Sequence, residues 1–284
     1  MSAIADCIAG VISPEVAVAR LLLSGLDAPA MLQALDAAAP SGPVQSMRAL
    51  VTERRAALED LAGQVARSMA GHDASGPTPA EGVARIAAFF DQAVRHSPEA
   101  SVALYSLGDP AILRAATQEI VDWLRAEGLL GPGTDVLDLG CGIGRIAAAL
   151  APSCRSVLAL DVSAGMVAEA TGRLAALPNV RVMQTSGEDL DAVPERGFDL
   201  ILAIDSFPYI VQTGPDTVSR HIQGAARALR PGGALCILNL SYRGDAGLDQ
   251  ADARAWAAAA GFTLLRQGER PFRLWDGNAF VFRR

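Results

Sequence analysis

The chain has 284 residues, 51% of them hydrophobic, with a formal net charge of -7. That length holds one large domain or two modest ones, and the apolar fraction supplies a buried core, which excludes a chain disordered throughout. The acidic balance, with no long run of Lys or Arg, argues against tight binding of a nucleic acid.

No stretch reaches the roughly 18 unbroken apolar residues of a membrane span. The amino terminus carries Asp6 and no early Lys or Arg, unlike a signal peptide. The four cysteines, Cys7, Cys141, Cys154 and Cys236, have no metal-ligand spacing and read as reduced thiols of a cytoplasmic protein. No metal site is expected.

Residues 1–127 read as helical. Ser13-Pro14 pairs a cap with proline at the first helical position, and that helix runs to Leu23 before Gly25. Asp27-Ala28-Pro29 opens another. One longer helix is predicted over 44–69, a loop over 71–79 (GHDASGPTP) and a helix over 80–94. Ser97-Pro98 restarts the pattern, and 110–127 forms the last helix of this half.

From residue 128 the pattern changes. Apolar runs of strand length at 135–139, 156–160, 180–184, 199–204 and 234–240 alternate with helical stretches. Such alternation implies parallel strands with crossover helices, hence a doubly wound α/β sheet. Residues 262–275 and 279–283 flank the turn signal Asp276-Gly277-Asn278, which predicts a closing antiparallel hairpin. The expected fold is a seven-stranded, mostly parallel sheet over 128–284, preceded by an α-helical domain over 1–127.

The chemistry concentrates where the first strand ends. Residues 136–145 read VLDLGCGIGR, a buried strand running into Gly140, Gly142 and Gly144 and then a helix. Glycines at such a bend let the backbone approach a ligand, and the helix behind it is expected to present free amides. A dinucleotide fingerprint wants its third glycine one position later, where this chain has Arg145. Asp138 in the strand suits a cationic amine better than a pyrophosphate, which it would repel. Asp161 follows the second strand, twenty-one positions after Gly140, near the ~20 expected of a carboxylate that grips a ribose diol. Asp before a helix is also a common cap.

With these residues in register, the run from about residue 129 to the end resembles the class I S-adenosylmethionine-dependent methyltransferases. The family's glycine motif matches Asp138-Leu139-Gly140-Cys141-Gly142-Ile143-Gly144, and its ribose acid matches Asp161, with Val162 beside it. Its adenine-side segment matches Ser186-Gly187-Glu188-Asp189-Leu190; Ser186 stands where the family often has Asp, so Gly187, Glu188 and Asp189 are the expected contacts. The fourth-strand motif FDLILAID ends at Asp205, and Leu229-Arg230-Pro231-Gly232-Gly233 matches the turn before the fifth strand. The resemblance implies S-adenosyl-L-methionine as cofactor and methyl transfer as the activity, with a small-molecule acceptor expected.

The acceptor is expected beyond the carboxyl ends of the fourth and fifth strands. Those ends carry Asp205 and Tyr209, and Tyr242. The third of the chain's three tyrosines, Tyr105, precedes Gly108-Asp109-Pro110, and residues 100–110 are expected to fold over the cofactor as a lid. Each tyrosine has an alternative as a packing residue with its hydroxyl in water. Asp205 has three readings: it binds the methionine amine, acts as a base, or caps the next turn. Among His72, His96 and His221, His221 is the best placed to be a base. Competing readings are methylation of a protein or nucleic acid, cofactor binding without transfer, and amino-terminal helices that dimerise the chain.

Overall fold

The computed structural model describes residues 3–68, 76 and 78–284. The predicted loop over 71–79 falls largely outside them, as do His72 and Met69. Contacts group the chain into two compact units.

The first unit comprises Met1–His72, His96–Glu119 and Phe272–Asp276. Its helices are α1 (Ala3–Ile8), α2 (Pro14–Leu23), α3 (Ala28–Asp36), α4 (Gly42–Glu53) and α5 (Arg55–Ser68). The starts of α2, α3 and α4 share one device. Ser13, Asp27 and Ser41 each accept an amide from three residues on, and a proline follows within the first turn, where its missing N–H costs nothing. The single helix expected over 44–69 is instead two. Arg54 leaves helical geometry between α4 and α5 (φ -108°, ψ 20°), and its guanidinium pairs with Asp109. Met31, Leu35, Met47, Val51 and Leu58 fill the core of this unit.

The second unit comprises Asp73–Arg95, Ile120–Pro271 and Gly277–Arg284. It therefore takes α6 (Pro79–His96), except for its last residue, from the amino-terminal half. Of the next two helices, α7 (Pro98–Val102) lies in the first unit and α8 (Pro110–Ala126) passes from the first unit into the second at Ile120. The strands are β1 (Asp135–Leu139), β2 (Ser156–Asp161), β3 (Val180–Gln184), β4 (Phe198–Ile204), β5 (Leu229–Leu238), β6 (Thr263–Glu269) and β7 (Ala279–Arg283). Between them run α9 (Arg145–Leu150), α10 (Ala164–Leu174), α11 (Phe207–Gln212), α12 (Pro215–Ala228) and α13 (Ala246–Ala260). The seven strands lie in the order β3-β2-β1-β4-β5-β7-β6, with β7 antiparallel to both neighbours.

Burial follows position in the sheet. β1 is buried at every residue, as a central parallel strand covered on both faces must be, while the edge strand β6 alternates exposed and half-buried. Phe198, Phe207, Phe262, Phe280 and Phe282 anchor the core. The predicted hairpin forms, but its connection is longer than the three-residue turn signal. β6 ends at Glu269, and Phe272–Asp276 belongs to the first unit. There Trp275 and Phe272 are buried with ring centroids 5.2 Å apart, and Glu119 accepts the amides of Arg273 and Leu274. Those aromatics, not the Asp-Gly-Asn turn, set the length of the connection.

At the amino ends of the central strands, Arg230 bridges Asp135 (2.9 Å) and Asp199 (2.7 Å), and Arg155 joins Asp135 at 2.9 Å. At the opposite ends, the chain turns one way after β1 and the other after β4. This reversal opens a crevice, the usual ligand position in such sheets. Among the described residues no helix is long and apolar enough to cross a membrane.

Candidate cofactor and acceptor site

The glycine loop is anchored from below. Gly140 and Cys141 both donate their amides to the Leu160 carbonyl at the end of β2 (2.8 and 2.9 Å), and Gly142 donates to Asp161 Oδ2 at 2.8 Å. These three successive amides therefore face the chain's own second strand rather than a ligand. The amide of Ala147, in the first turn of α9, is likewise taken, by the Asp138 carboxylate.

The glycines serve packing as well as conformation. All three lie at positive φ. A Cβ on Gly140 would overlap the Cβ of Ser206, whose hydroxyl donates to the Leu139 carbonyl at 2.5 Å. A Cβ on Gly144 would come within 2.7 Å of Leu174 on α10. Gly140 thus brings the ends of β1 and β4 together.

Two carboxylates are buried around this loop. Asp161 is 7% exposed, and its Oδ1 accepts the Ser163 amide at 2.9 Å. Burial raises its pKa, against three backbone donors that lower it. Asp138 is 1% exposed, and its Oδ2 has no hydrogen-bond partner among the described residues. Burial pushes it up to about 7; Arg145 opposes the shift and the charge of Asp161 adds to it. An orphaned carboxylate oxygen beside a glycine loop fits a ligand that brings a cation. Cys141 is buried, and burial followed by the two carboxylates raises its thiol, so it is no nucleophile.

Asp161 is supported by a second tier that the sequence did not reveal. Asp91 on α6 accepts from the Ser163 hydroxyl at 2.6 Å and the Gly165 amide at 2.8 Å. These bonds, the Ser163 hydroxyl first, hold the Asp91 carboxyl below its ordinary range. The same hydroxyl caps α10 by accepting the Met166 amide. Val83 of α6 and Val162 close around Gly187, which lies at φ 72°. Beyond it, Asp189 accepts the Asp191 amide at 3.0 Å, and Glu188 is exposed with its carbonyl bonded by Arg220.

The ends of β4 and β5 bring three expected residues together. Asn239 donates to Asp205 Oδ1 at 2.6 Å, and the Tyr242 hydroxyl stands 3.4 Å from the same oxygen. The rings of Tyr209 and Tyr242 are 5.7 Å apart, and Phe90 of α6 meets Tyr209 edge-on at 5.4 Å. Partial burial and the charge of Asp205 raise the Tyr209 phenol, so it stays protonated. Asn239 and Phe90 were missed: one lies inside the strand predicted over 234–240 and the other inside the helix predicted over 80–94. Tyr105 belongs to the first unit. It is buried there, with Trp275 at 6.5 Å. His221 is 2% exposed, with Nδ1 2.8 Å from the Thr217 carbonyl of its own helix. Burial lowers its pKa, and the ring is a neutral packing group. Among the described residues no cluster could hold a metal.

Residues 136–233 match a family model described as a methyltransferase domain. Chondramide synthase of Chondromyces crocatus is 33% identical over 149 residues, 50% of this chain and 4% of that protein. The 2-methyl-6-phytyl-1,4-hydroquinone methyltransferase of Synechocystis is 28% identical over 173 residues, covering 58% of this chain and 51% of that protein. The chain thus spans about half the length of these relatives, or far less. A solved structure of Haemonchus contortus phosphoethanolamine N-methyltransferase 1 aligns with TM-score 0.51 and 18% identity, over 72% of this chain and 49% of that one, and shares the fold.

Two outcomes follow from this geometry. Gly140→Ala is expected to cost about 2–4 kcal/mol in urea unfolding, from overlap and a strained φ. Adding Ser206→Gly is expected to recover more than half of that; no recovery would refute the packing role. Asp138, whose folded pKa is raised, favours the folded state at low pH and loses that contribution as pH rises from about 4 to about 7. The stability of Asp138→Asn relative to the parent is therefore expected to improve by about 2–4 kcal/mol between pH 5 and pH 8. A difference that does not change with pH contradicts the buried, proton-binding carboxyl.

Proposed function

We propose that residues 136–233, which match a family model described as a methyltransferase domain, work as a class I, S-adenosylmethionine-dependent methyltransferase, and that this protein methylates a small-molecule acceptor. The observation that carries the reading is Asp138 Oδ2, a buried carboxylate oxygen without a partner among the described residues, beside the glycine loop. S-adenosylmethionine, when bound, supplies a methyl group already activated on a sulfonium.

The chain's residues divide the remaining work. Asp138 holds the cofactor's ammonium, since an ion pair in a dry site relieves the penalty of burying the carboxylate. Asp161 accepts backbone amides, Gly142 on Oδ2 and Ser163 on Oδ1 among them, and its remaining acceptor capacity serves the ribose hydroxyls. Val162 and the segment through Gly187, Glu188 and Asp189 flank the adenine. Gly140, Cys141, Gly142 and Gly144 give the backbone its close approach. Asp205, Tyr209 and Tyr242 face the acceptor, and Phe90 helps exclude water, which would compete for the methyl group. Alignment of the two reactants is the main catalytic contribution, because the donor needs no further activation.

The charge balance and the name of the hydroquinone methyltransferase both support a small acceptor. The test is to incubate the protein and a metabolite extract with cofactor carrying a labelled methyl group and identify labelled product by mass spectrometry. A labelled small molecule that disappears with the Asp161→Ala variant is expected. Label found only in protein or nucleic acid contradicts the small-acceptor reading. In calorimetry, Asp161→Ala is expected to lose about 1.5–3 kcal/mol of cofactor binding, the usual worth of hydrogen bonds to a charged group; unchanged affinity removes Asp161 from the ribose site.

A further inference from the structure

The residues that end β2 and enter α10 are clamped from several sides. Asp161 accepts the Gly142 amide on Oδ2 and the Ser163 amide on Oδ1. The Val162 carbonyl accepts from the Gln184 side chain at 3.0 Å. Ser163 is fully buried; its hydroxyl oxygen accepts the Met166 amide, and its hydroxyl donates to Asp91 Oδ1 at 2.6 Å. The same Asp91 oxygen accepts the Gly165 amide at 2.8 Å.

Glycines let α6 come close enough to make these bonds. A Cβ on Gly165 would stand 3.0 Å from Val94 Cγ1 and 3.1 Å from Asp91 Oδ1. Val83 lies about two turns before Asp91 on α6. A Cβ on Gly187 would stand 2.9 Å from Val83 Cγ1 and 2.5 Å from Val162 Cγ1. One helix thus meets the loop after β2 through Asp91 and Val94, and the loop after β3 through Val83. Those loops carry Asp161 and Gly187, the proposed ribose and adenine sides of the site.

Charge is not what Asp91 supplies to Asp161. After burial, the charge of Asp91 is the influence that raises the Asp161 carboxyl, as a like charge does. The acid at Asp91 supplies direction. A carboxylate only accepts, so it fixes the Ser163 hydroxyl as a donor and leaves the hydroxyl oxygen to take the Met166 amide. At 2.6 Å the bond has the length of a charge-assisted hydroxyl–carboxylate pair. A Ser163 side chain held in both roles fixes the backbone whose amide sits on Asp161 Oδ1.

We propose that Asp91 is a positioning residue for the cofactor's ribose, acting on Asp161 through Ser163, and that α6 is therefore part of the cofactor site. The inference rests on the reading of Asp161 as the ribose contact and names what holds that contact in place. Without Asp91, the Ser163 hydroxyl and the Gly165 amide lose their shared acceptor. The turn between β2 and α10 then loosens, and Asp161 loses the fixed amide that orients it.

Affinity for S-adenosylhomocysteine, measured by calorimetry on the full chain, tests this with three substitutions. Asp91→Ala removes the acceptor. Asp91→Glu keeps the charge but displaces it by a methylene, and Asp91→Asn keeps an oxygen acceptor without the charge. The positioning role predicts a loss of about tenfold for Asp91→Ala and Asp91→Glu, and of under about threefold for Asp91→Asn. In an Asp161→Ala background, Asp91→Ala is expected to cost less than about twofold more, because the group it positions is gone. Losses of equal size in both backgrounds overturn the proposal, since Asp91 would then only support the fold. So does Asp91→Glu binding like the parent while Asp91→Asn binds as weakly as Asp91→Ala, the pattern of a charge effect. If Asp91→Ala fails to fold, Asp91→Glu takes its place in both backgrounds, with Asp91→Asn as the comparison. An Asp161→Ala protein that binds as tightly as the parent overturns the positioning role and leaves the cofactor reading standing. A parent that does not bind S-adenosylhomocysteine removes the cofactor reading, and the proposal with it.

Discussion

Burying Asp138 and Asp161 around one glycine loop imposes a cost that organises the second unit. Two like charges out of water raise each other's energy, and each must be offset locally. Asp161 is offset by backbone amides, and reaching them requires the loop to turn inward at Gly140, Gly142 and Gly144, all at positive φ. That turn in turn needs β1 and β2 in parallel register, with Leu139 opposite Leu160, so that the Leu160 carbonyl meets two loop amides. Asp91 extends the same network onto α6 through Ser163. Asp138 is offset only in part, by one helix amide and the field of Arg145, and its carboxyl is pushed up to about 7. The remaining deficit is what a cationic ligand relieves.

The two ends of the sheet treat their carboxylates differently. At the amino ends, Asp135 and Asp199 are bridged by Arg230, and Arg155 adds to Asp135. That arrangement is structural, and its charges largely cancel. At the carboxyl ends, Asp161 is met by amides, and Asp205 Oδ1 by an asparagine and a tyrosine. Neutral donors stabilise a carboxylate without cancelling its field. The crevice therefore has a negative floor suited to a cofactor with a sulfonium and an ammonium.

Much of this was legible in the sequence because it is local. Strand length and apolar runs located β1 to β5 to within a few residues, except that β5 extends back to Leu229 across the Pro-Gly-Gly turn. Asp138, the glycines and Asp161 stood out by their spacing from a strand end. The carboxyl ends of β4 and β5 pointed to Asp205, Tyr209 and Tyr242, which the fold brings together. What escaped depends on long-range contacts. Asp91 meets Ser163 across 72 positions of sequence and, on a helix rich in alanine, looks like any solvent-facing acid. The break between α4 and α5 turns on Arg54 reaching Asp109, and the long β6–β7 connection on Phe272 and Trp275 joining a different core.

The central claim is that Asp138 is a pre-placed, proton-binding carboxylate whose burial is relieved by a cationic cofactor. Calorimetric titration of the parent with S-adenosylmethionine between pH 5.5 and pH 8.5 tests it directly. The account predicts affinity that is steady above about pH 7 and falls by up to about tenfold per unit below it, with proton release on binding, and a flat, weaker profile for Asp138→Asn. A parent profile independent of pH, or an Asp138→Asn variant that binds as tightly as the parent, would contradict it.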